Sequence, residues 1–119
     1  HEISGEHICH IAIYAMVMAE HSKRPVRGDR VIMMLLIHDL VEIDAGDNPI
    51  PGNHDPAAMK VIEAAAAARI FGLLPEAQGR AFRALWDEFE AAKTDDAIFA
   101  KSLDRVHHVV NKIKTKKNR

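Results

Sequence analysis

The stretch Val31-Ile-Met-Met-Leu-Leu-Ile37-His38-Asp39-Leu-Val-Glu42-Ile-Asp44-Ala-Gly46-Asp47 decides how this chain is read. Seven consecutive apolar residues, 31–37, leave a helix without a polar face, so neighbouring elements must cover it on most sides. That marks a core helix. The run then turns abruptly to one imidazole and four carboxylates within ten residues: His38, Asp39, Glu42, Asp44 and Asp47. Ionisable groups at the end of a buried helix are costly unless they are paired or hold a metal. Helical spacing sets Glu42 four residues after His38 and three after Asp39, so these side chains share a flank. Gly46 lets the backbone turn and bring Asp47 back toward them. A metal and water site fits this stretch. A helix end with solvated acids and one satisfied histidine fits it as well.

A chain of 119 residues, 48% hydrophobic, is the size of one domain with one core. Cys9, the single cysteine, excludes an internal disulfide; its apolar neighbours suggest a packing role and a reducing compartment, so the cytoplasm is the expected location. A formal net charge of -1 provides no basic field to draw nucleic acid. The basic run over residues 111–119 reads as a solvated helix end. No apolar stretch nears the roughly 18 residues of a membrane helix, and no signal peptide precedes the first motif. Neither nucleic acid nor a membrane is an expected partner. The chain begins at His1 without a methionine, which fits a processed form or a piece of a longer protein.

Working outward from the core helix, the patterning predicts four more helices. The first covers residues 4–20, with Ser4 as N-cap and Ile8, Ile11, Ala12, Ala15, Met18 and Ala19 turned inward. His7, His10, Tyr14 and His21 lie on another of its faces. Pro25 and Gly28 break the connector over residues 21–28, and Asp29 reads as the N-cap of the core helix. Residues 44–55, rich in Gly, Pro, Asn and Asp, read as a loop long enough to suggest a functional role. Asp55-Pro56 then opens a third helix through the alanines of residues 64–68 to about Gly72. A fourth helix follows Pro75 over residues 76–93, with Ala81, Phe82, Leu85, Trp86 and Phe89 as a core stripe. Thr94 caps a fifth over residues 95–114, whose expected seam is Phe99, Leu103, Val106, Val110 and Ile113. Asp104 borders that seam, with Lys101 three residues before it and His108 four after. No period-2 run suggests a strand, so the fold class is all-α: a single-domain bundle of about five helices.

Three dispersed features stand out: His7, the adjacent His38-Asp39, and Asp104. Two imidazoles and two carboxylates suit a divalent first-row transition metal and leave coordination positions open. With eight histidines on a helical chain such spacing also arises by accident, so a template is needed. The sequence resembles the HD-domain family of metal-dependent phosphohydrolases, whose ligands follow the pattern H…HD…D, and within it the branch containing the 5'-deoxynucleotidases. Four phrases carry the resemblance: Glu6-His7, Leu36-Ile-His38-Asp39-Leu-Val-Glu42-Ile-Asp-Ala-Gly-Asp47, Leu85-Trp86-Asp-Glu-Phe89-Glu90, and Phe99-Ala-Lys101-Ser-Leu-Asp104-Arg105. Their order and spacing match across nearly the whole chain.

The resemblance implies an HD-type bundle over residues 1–119 in which His7, His38, Asp39 and Asp104 hold one divalent transition metal ion, whether Mn, Co, Ni, Fe or Zn. It further implies that Glu42 and Asp47 serve the attacking water and the substrate, and that two copies form a homodimer. Lys101 is placed either to meet a phosphate oxygen as a point charge or to pair with Asp104. His10, His107 and His108 receive no role and read as structural or exposed, and His54 belongs to the loop. Members of this branch carry a further helix before the first motif, with an arginine just ahead of the Glu-His phrase, and continue past the helix of the last aspartate; neither has a counterpart here. The implied activity is phosphate release from a deoxynucleoside 5'-monophosphate. The alternatives are a metal-stabilised, catalytically weak binding or dimerisation module, and a hydrolase of another nucleotide phosphate ester.

Overall fold

In the computed structural model, which describes residues 4–46 and 55–117, the apolar run lies in the helix that every other helix touches. The elements in chain order are α1 (Ser4–Met18), a 3-10 turn (Ala19–His21), α2 (Gly28–Gly46), α3 (Pro56–Gly72), α4 (Glu76–Ala91) and α5 (Asp95–Lys117). Helix α2 packs on the other four, and these follow one another around it as α1, α5, α4 and α3, each in contact with the next. The all-α bundle of five helices is therefore as the patterning predicts. Among the described residues no helix is long and apolar enough to cross a membrane.

Two apolar clusters divide α2 between them. Val31, Met34 and Leu35 pack with Ile11 and Ala15 of α1, Phe89 of α4, and Ala97, Ala100 and Leu103 of α5. Further along, Ile37, Val41 and Ala45 pack with Ala66, Ala67 and Phe71 of α3 and Trp86 of α4. Full burial of a side chain such as Leu35 contributes about 1.5–3 kcal/mol. His38 and Asp39 come directly after the point where one cluster gives way to the other, and so are seated where several helices meet.

Several expectations are corrected by the packing. The apolar run is covered on most sides but not on all: Met33 and Leu36, continued beyond the run by Leu40 and Ile43 as one helical stripe, are 37–47% exposed, because the four neighbours leave part of the circumference of α2 open. Met18 of α1 and Ala81 of α4 point outward, and Cys9 is exposed and has no packing role. On α5, Leu103 of the expected seam is buried and Phe99 packs against the first cluster, but Val106 and Ile113 are exposed; the other buried residues are Asp96, Ala97, Ala100 and His107. Counting apolar residues alone misplaced the seam, since Asp96 and His107 are polar side chains buried among partners. The predicted N-cap Asp29 lies inside the first turn of α2 and pairs with Arg27 at 2.8 Å. Helix α2 also continues through Asp44, expected in the loop, to Gly46.

Other local expectations hold. The Asp55 carboxylate accepts the Ala57 N–H at 3.3 Å with Pro56 at the first helical position, and Thr94 Oγ1 accepts the Ala97 N–H at 3.2 Å. Helix α4 ends in Ala92, whose left-handed φ of 51° turns the chain toward α5. Gly79, in the first turn of α4, approaches the end of α3 so closely that a Cβ there would lie 2.5 Å from the Phe71 carbonyl oxygen. Gly79→Ala is accordingly expected to destabilise the fold by about 1–3 kcal/mol despite the better helix propensity of alanine, measurable as a lower urea midpoint.

A charged network ties α2, α4 and α5 together beside the first cluster. The Arg30 guanidinium donates to both Glu88 and Asp96, Thr94 Oγ1 donates to Glu88 at 2.6 Å, and Asp96 accepts the Arg27 N–H at 2.9 Å. Hydrogen bonding from Arg30 holds the Glu88 carboxyl below the usual glutamate range. A carboxylate whose folded pKa lies below its unfolded value stabilises the fold above the unfolded pKa of about 4.3, and that contribution is lost as pH falls through the folded value. Glu88→Gln is expected to cost roughly 1.5–3 kcal/mol at pH 7, with the difference from the parent shrinking below about pH 4 in urea titrations.

Candidate metal centre

Helices α1, α2 and α5 touch one another pairwise, and each brings ionisable side chains to their junction. His7 comes from the first turns of α1, where Ile11 and Ala15 on the buried face fix the rotation of the helix. Its Nε2 lies 3.2 Å from Asp39 Oδ2 and 3.5 Å from Asp104 Oδ1. Asp39 is 6% exposed because α2 continues on either side of it into the two clusters, and Asp104 follows the buried Leu103 on α5. Both facing carboxylate oxygens, Asp39 Oδ2 and Asp104 Oδ1, are buried without a hydrogen-bond partner. Buried carboxylate oxygens in that state are rare and costly, and a cation between them removes the cost. The donor set of imidazole and carboxylate fits a divalent transition metal.

His38, beside Asp39 in the middle of α2, feels the charges of Asp39 and Asp104 but is not among the residues whose ligand atoms converge, His7, Asp104 and His108. Only 15% of its side chain is exposed; Nε2 lies 4.0 Å from Glu42 Oε1, Nδ1 lies 3.6 Å from Glu90 Oε1, and the ring packs 4.4 Å from that of Phe89. Burial works to lower its pKa, but the carboxylates of Glu90, Glu42, Asp104 and Asp39 outweigh it, so the imidazole is held above its ordinary value. Asp39 is raised, chiefly by burial, against the lowering influence of His7 and His38. Glu42 is pushed up to about 8 by burial and by the neighbouring Glu63 of α3. With 45% of the Glu42 side chain exposed, the like-charged Glu63 is the firmer of these two causes.

The acids of the opening stretch thus separate. Asp39 and Glu42 stay at the centre, whereas Asp44 pairs at 2.6 Å with Arg69 and links α2 to α3. Asp47 and His54 lie outside the described residues. Lys101 is half-buried one turn before Asp104, with its ammonium 5.2 Å from the centre of the Phe89 ring.

Sequence reasoning missed four neighbours of the centre, namely Glu63, Glu90, His107 and His108. The His107 ring is buried 4.7 Å from that of His7. His108 Nε2 lies 3.6 Å from Asp104 Oδ1, and one ligand atom from each of His7, Asp104 and His108 falls within 4.8 Å of the others, so His108 offers the centre a further donor. The signal for it was its position four residues after Asp104, which places both side chains on one flank of α5.

All of residues 1–119 match a family described as HD domain. The chain belongs to the HD-domain family. A crystal structure of a predicted metal-dependent phosphohydrolase from Magnetospirillum magnetotacticum MS-1 superposes with a TM-score of 0.81 at 48% identity, over 96% of this HD chain and 57% of that one. The protein named 5'-deoxynucleotidase HDDC2 is 29% identical in Mus musculus over 109 residues, 92% of this chain and 53% of that protein. Its Homo sapiens counterpart is 28% identical over 109 residues, 92% of this chain and 52% of that protein. The HD chain spans about half the length of the curated relatives it matches.

Proposed function

We propose that this HD domain releases phosphate from nucleoside 5'-monophosphates, deoxynucleotides foremost, with His7, His38, Asp39 and Asp104 holding one divalent transition metal ion. The observation that carries the reading is the pair of buried carboxylate oxygens, Asp39 Oδ2 and Asp104 Oδ1, that make no hydrogen bond and both stand within 3.5 Å of His7 Nε2. The substrate class rests on the relatives named 5'-deoxynucleotidase. When bound, such an ion supplies Lewis-acid chemistry at a phosphoryl oxygen and makes water more acidic.

The remaining steps belong to the chain's own side chains. Glu42, whose carboxyl is raised to about 8, holds a proton in most molecules near neutral pH; its ionised fraction takes a proton from the attacking water, and the carboxylic acid so formed passes one to the leaving 5'-oxygen. Asp47 shares the work of orienting water and substrate. Lys101 supplies a point charge for the phosphate oxygens from the wall formed by Phe89. A homodimer is part of the proposal, supported by the exposed stripe Met33, Leu36, Leu40 and Ile43, and sedimentation velocity tests it.

The test of the activity is phosphate release from a panel of ribo- and deoxynucleoside monophosphates, with the chain loaded in turn with Mn, Co, Ni, Fe and Zn. Turnover of the deoxynucleotides with at least one of these metals is expected. Stoichiometric metal uptake with no phosphate released from any substrate would replace this reading by the metal-stabilised binding module.

A further inference from the structure

The phrase Leu85-Trp86-Asp-Glu-Phe89-Glu90 on α4 supplies no ligand to the centre, yet its last residue faces one. Trp86 and Phe89 are 7% and 2% exposed against α2, which fixes the rotation of α4 about its axis. Glu90 follows Phe89 by one residue and so emerges half-buried beside the Phe89 ring. That ring lies 4.4 Å from the His38 imidazole, at 33° to its plane, and restricts its tilt from one side. On the same wall Glu90 Oε1 stands 3.6 Å from His38 Nδ1, a buried nitrogen with no hydrogen-bond partner. The other nitrogen, Nε2, has Glu42 at 4.0 Å.

An imidazole that ligates through one nitrogen carries its proton on the other, and the acceptor of that proton sets both the tautomer and the direction of the ring. We propose that Glu90 is the positioning residue of the centre: its carboxylate accepts the Nδ1–H of His38 and leaves Nε2 unprotonated for the metal. The inference rests on the reading of His38 as a ligand. It gives the α4 phrase a role and explains why a carboxylate stands against a buried nitrogen on a helix that offers the centre no ligand. Glu42, Asp39 and Asp104, the other carboxylates whose charge acts on His38, do not compete for the role. Glu42 faces Nε2, and Asp39 and Asp104 face His7.

Two-bond proton–nitrogen spectra of the 15N-histidine-labelled, metal-free chain, recorded at a pH high enough that the His38 ring is neutral, report the tautomer, with the His38 signals assigned by their loss in His38→Gln. The parent is expected to show Nδ1–H, and Glu90→Ala to move His38 toward Nε2–H. Zinc affinity, measured by competition with a chelating dye, is expected to fall about 10- to 100-fold in Glu90→Ala, with much of the loss restored in Glu90→Gln, whose amide oxygen still accepts. An Nε2–H tautomer in the parent overturns the inference even if Glu90→Ala does not fold. Parent-like zinc affinity in Glu90→Ala, with affinity lost in His38→Gln, overturns the role of Glu90 and leaves His38 a ligand. Parent-like affinity in His38→Gln overturns both.

Discussion

Glu42→Gln is expected to lower the rate of phosphate release by about a hundred- to ten-thousand-fold while metal content stays near that of the parent. The substitution keeps the size and helix propensity of the side chain and removes its capacity to accept a proton. Its Oε1 lies 4.0 Å from His38 Nε2, close enough to share water with the centre, and it belongs to none of the buried carboxylate pair facing His7. Removing the charge also relieves the crowding with Glu63 that helps hold this carboxyl at about 8, so the variant is not expected to melt below the parent. The Michaelis constant should change less than the turnover number. Parent-like turnover in Glu42→Gln would move the proton-accepting role to Asp47.

Asp39→Asn is expected to abolish metal binding and activity together without weakening the metal-free fold. Outer-shell substitutions at metal sites typically cost about 10- to 100-fold in affinity, and loss of a direct carboxylate ligand should cost at least as much. Stability should move differently. Burial raises the pKa of Asp39, so its contribution to stability is greatest below the unfolded pKa, near 3.9, and is lost as pH rises through the folded value. A neutral asparagine escapes that penalty at pH 7, and the variant should melt no lower than the parent stripped of metal. The parent itself should gain stability from metal, by about 2.7 kcal/mol at a hundred times its dissociation constant, and Asp39→Asn should gain almost none. Thermal melts of both proteins, with chelator and with each metal, separate these effects. An unchanged metal-induced shift in Asp39→Asn would remove Asp39 from the ligand set.

Much of this protein was legible from local pattern. Helical periodicity, the Asp55-Pro56 and Thr94 caps, and the apolar run of α2 depend on neighbours within a turn or two, and these determined the five helices. The adjacency of His38 and Asp39 to a buried run, together with the phrases around His7 and Asp104, pointed to four candidate ligands, of which the fold gathers His7, Asp39 and Asp104. What a sequence period does not contain is which way each helix is rotated against the others. That rotation turned Met33 and Leu36 outward, buried His107 in place of Val106, and sent Asp44 to Arg69 rather than to the centre. It also brought Glu63, Glu90 and His108 to the centre, where the sequence had marked Glu90 only as the end of a phrase and His108 only by its spacing from Asp104. The sequence by itself thus determined the helices and the chemical types gathered for a metal. The tertiary structure alone decided which charges face one another, because pairing energies depend on distances across helices and on burial, both of which arise only once α2 is enclosed.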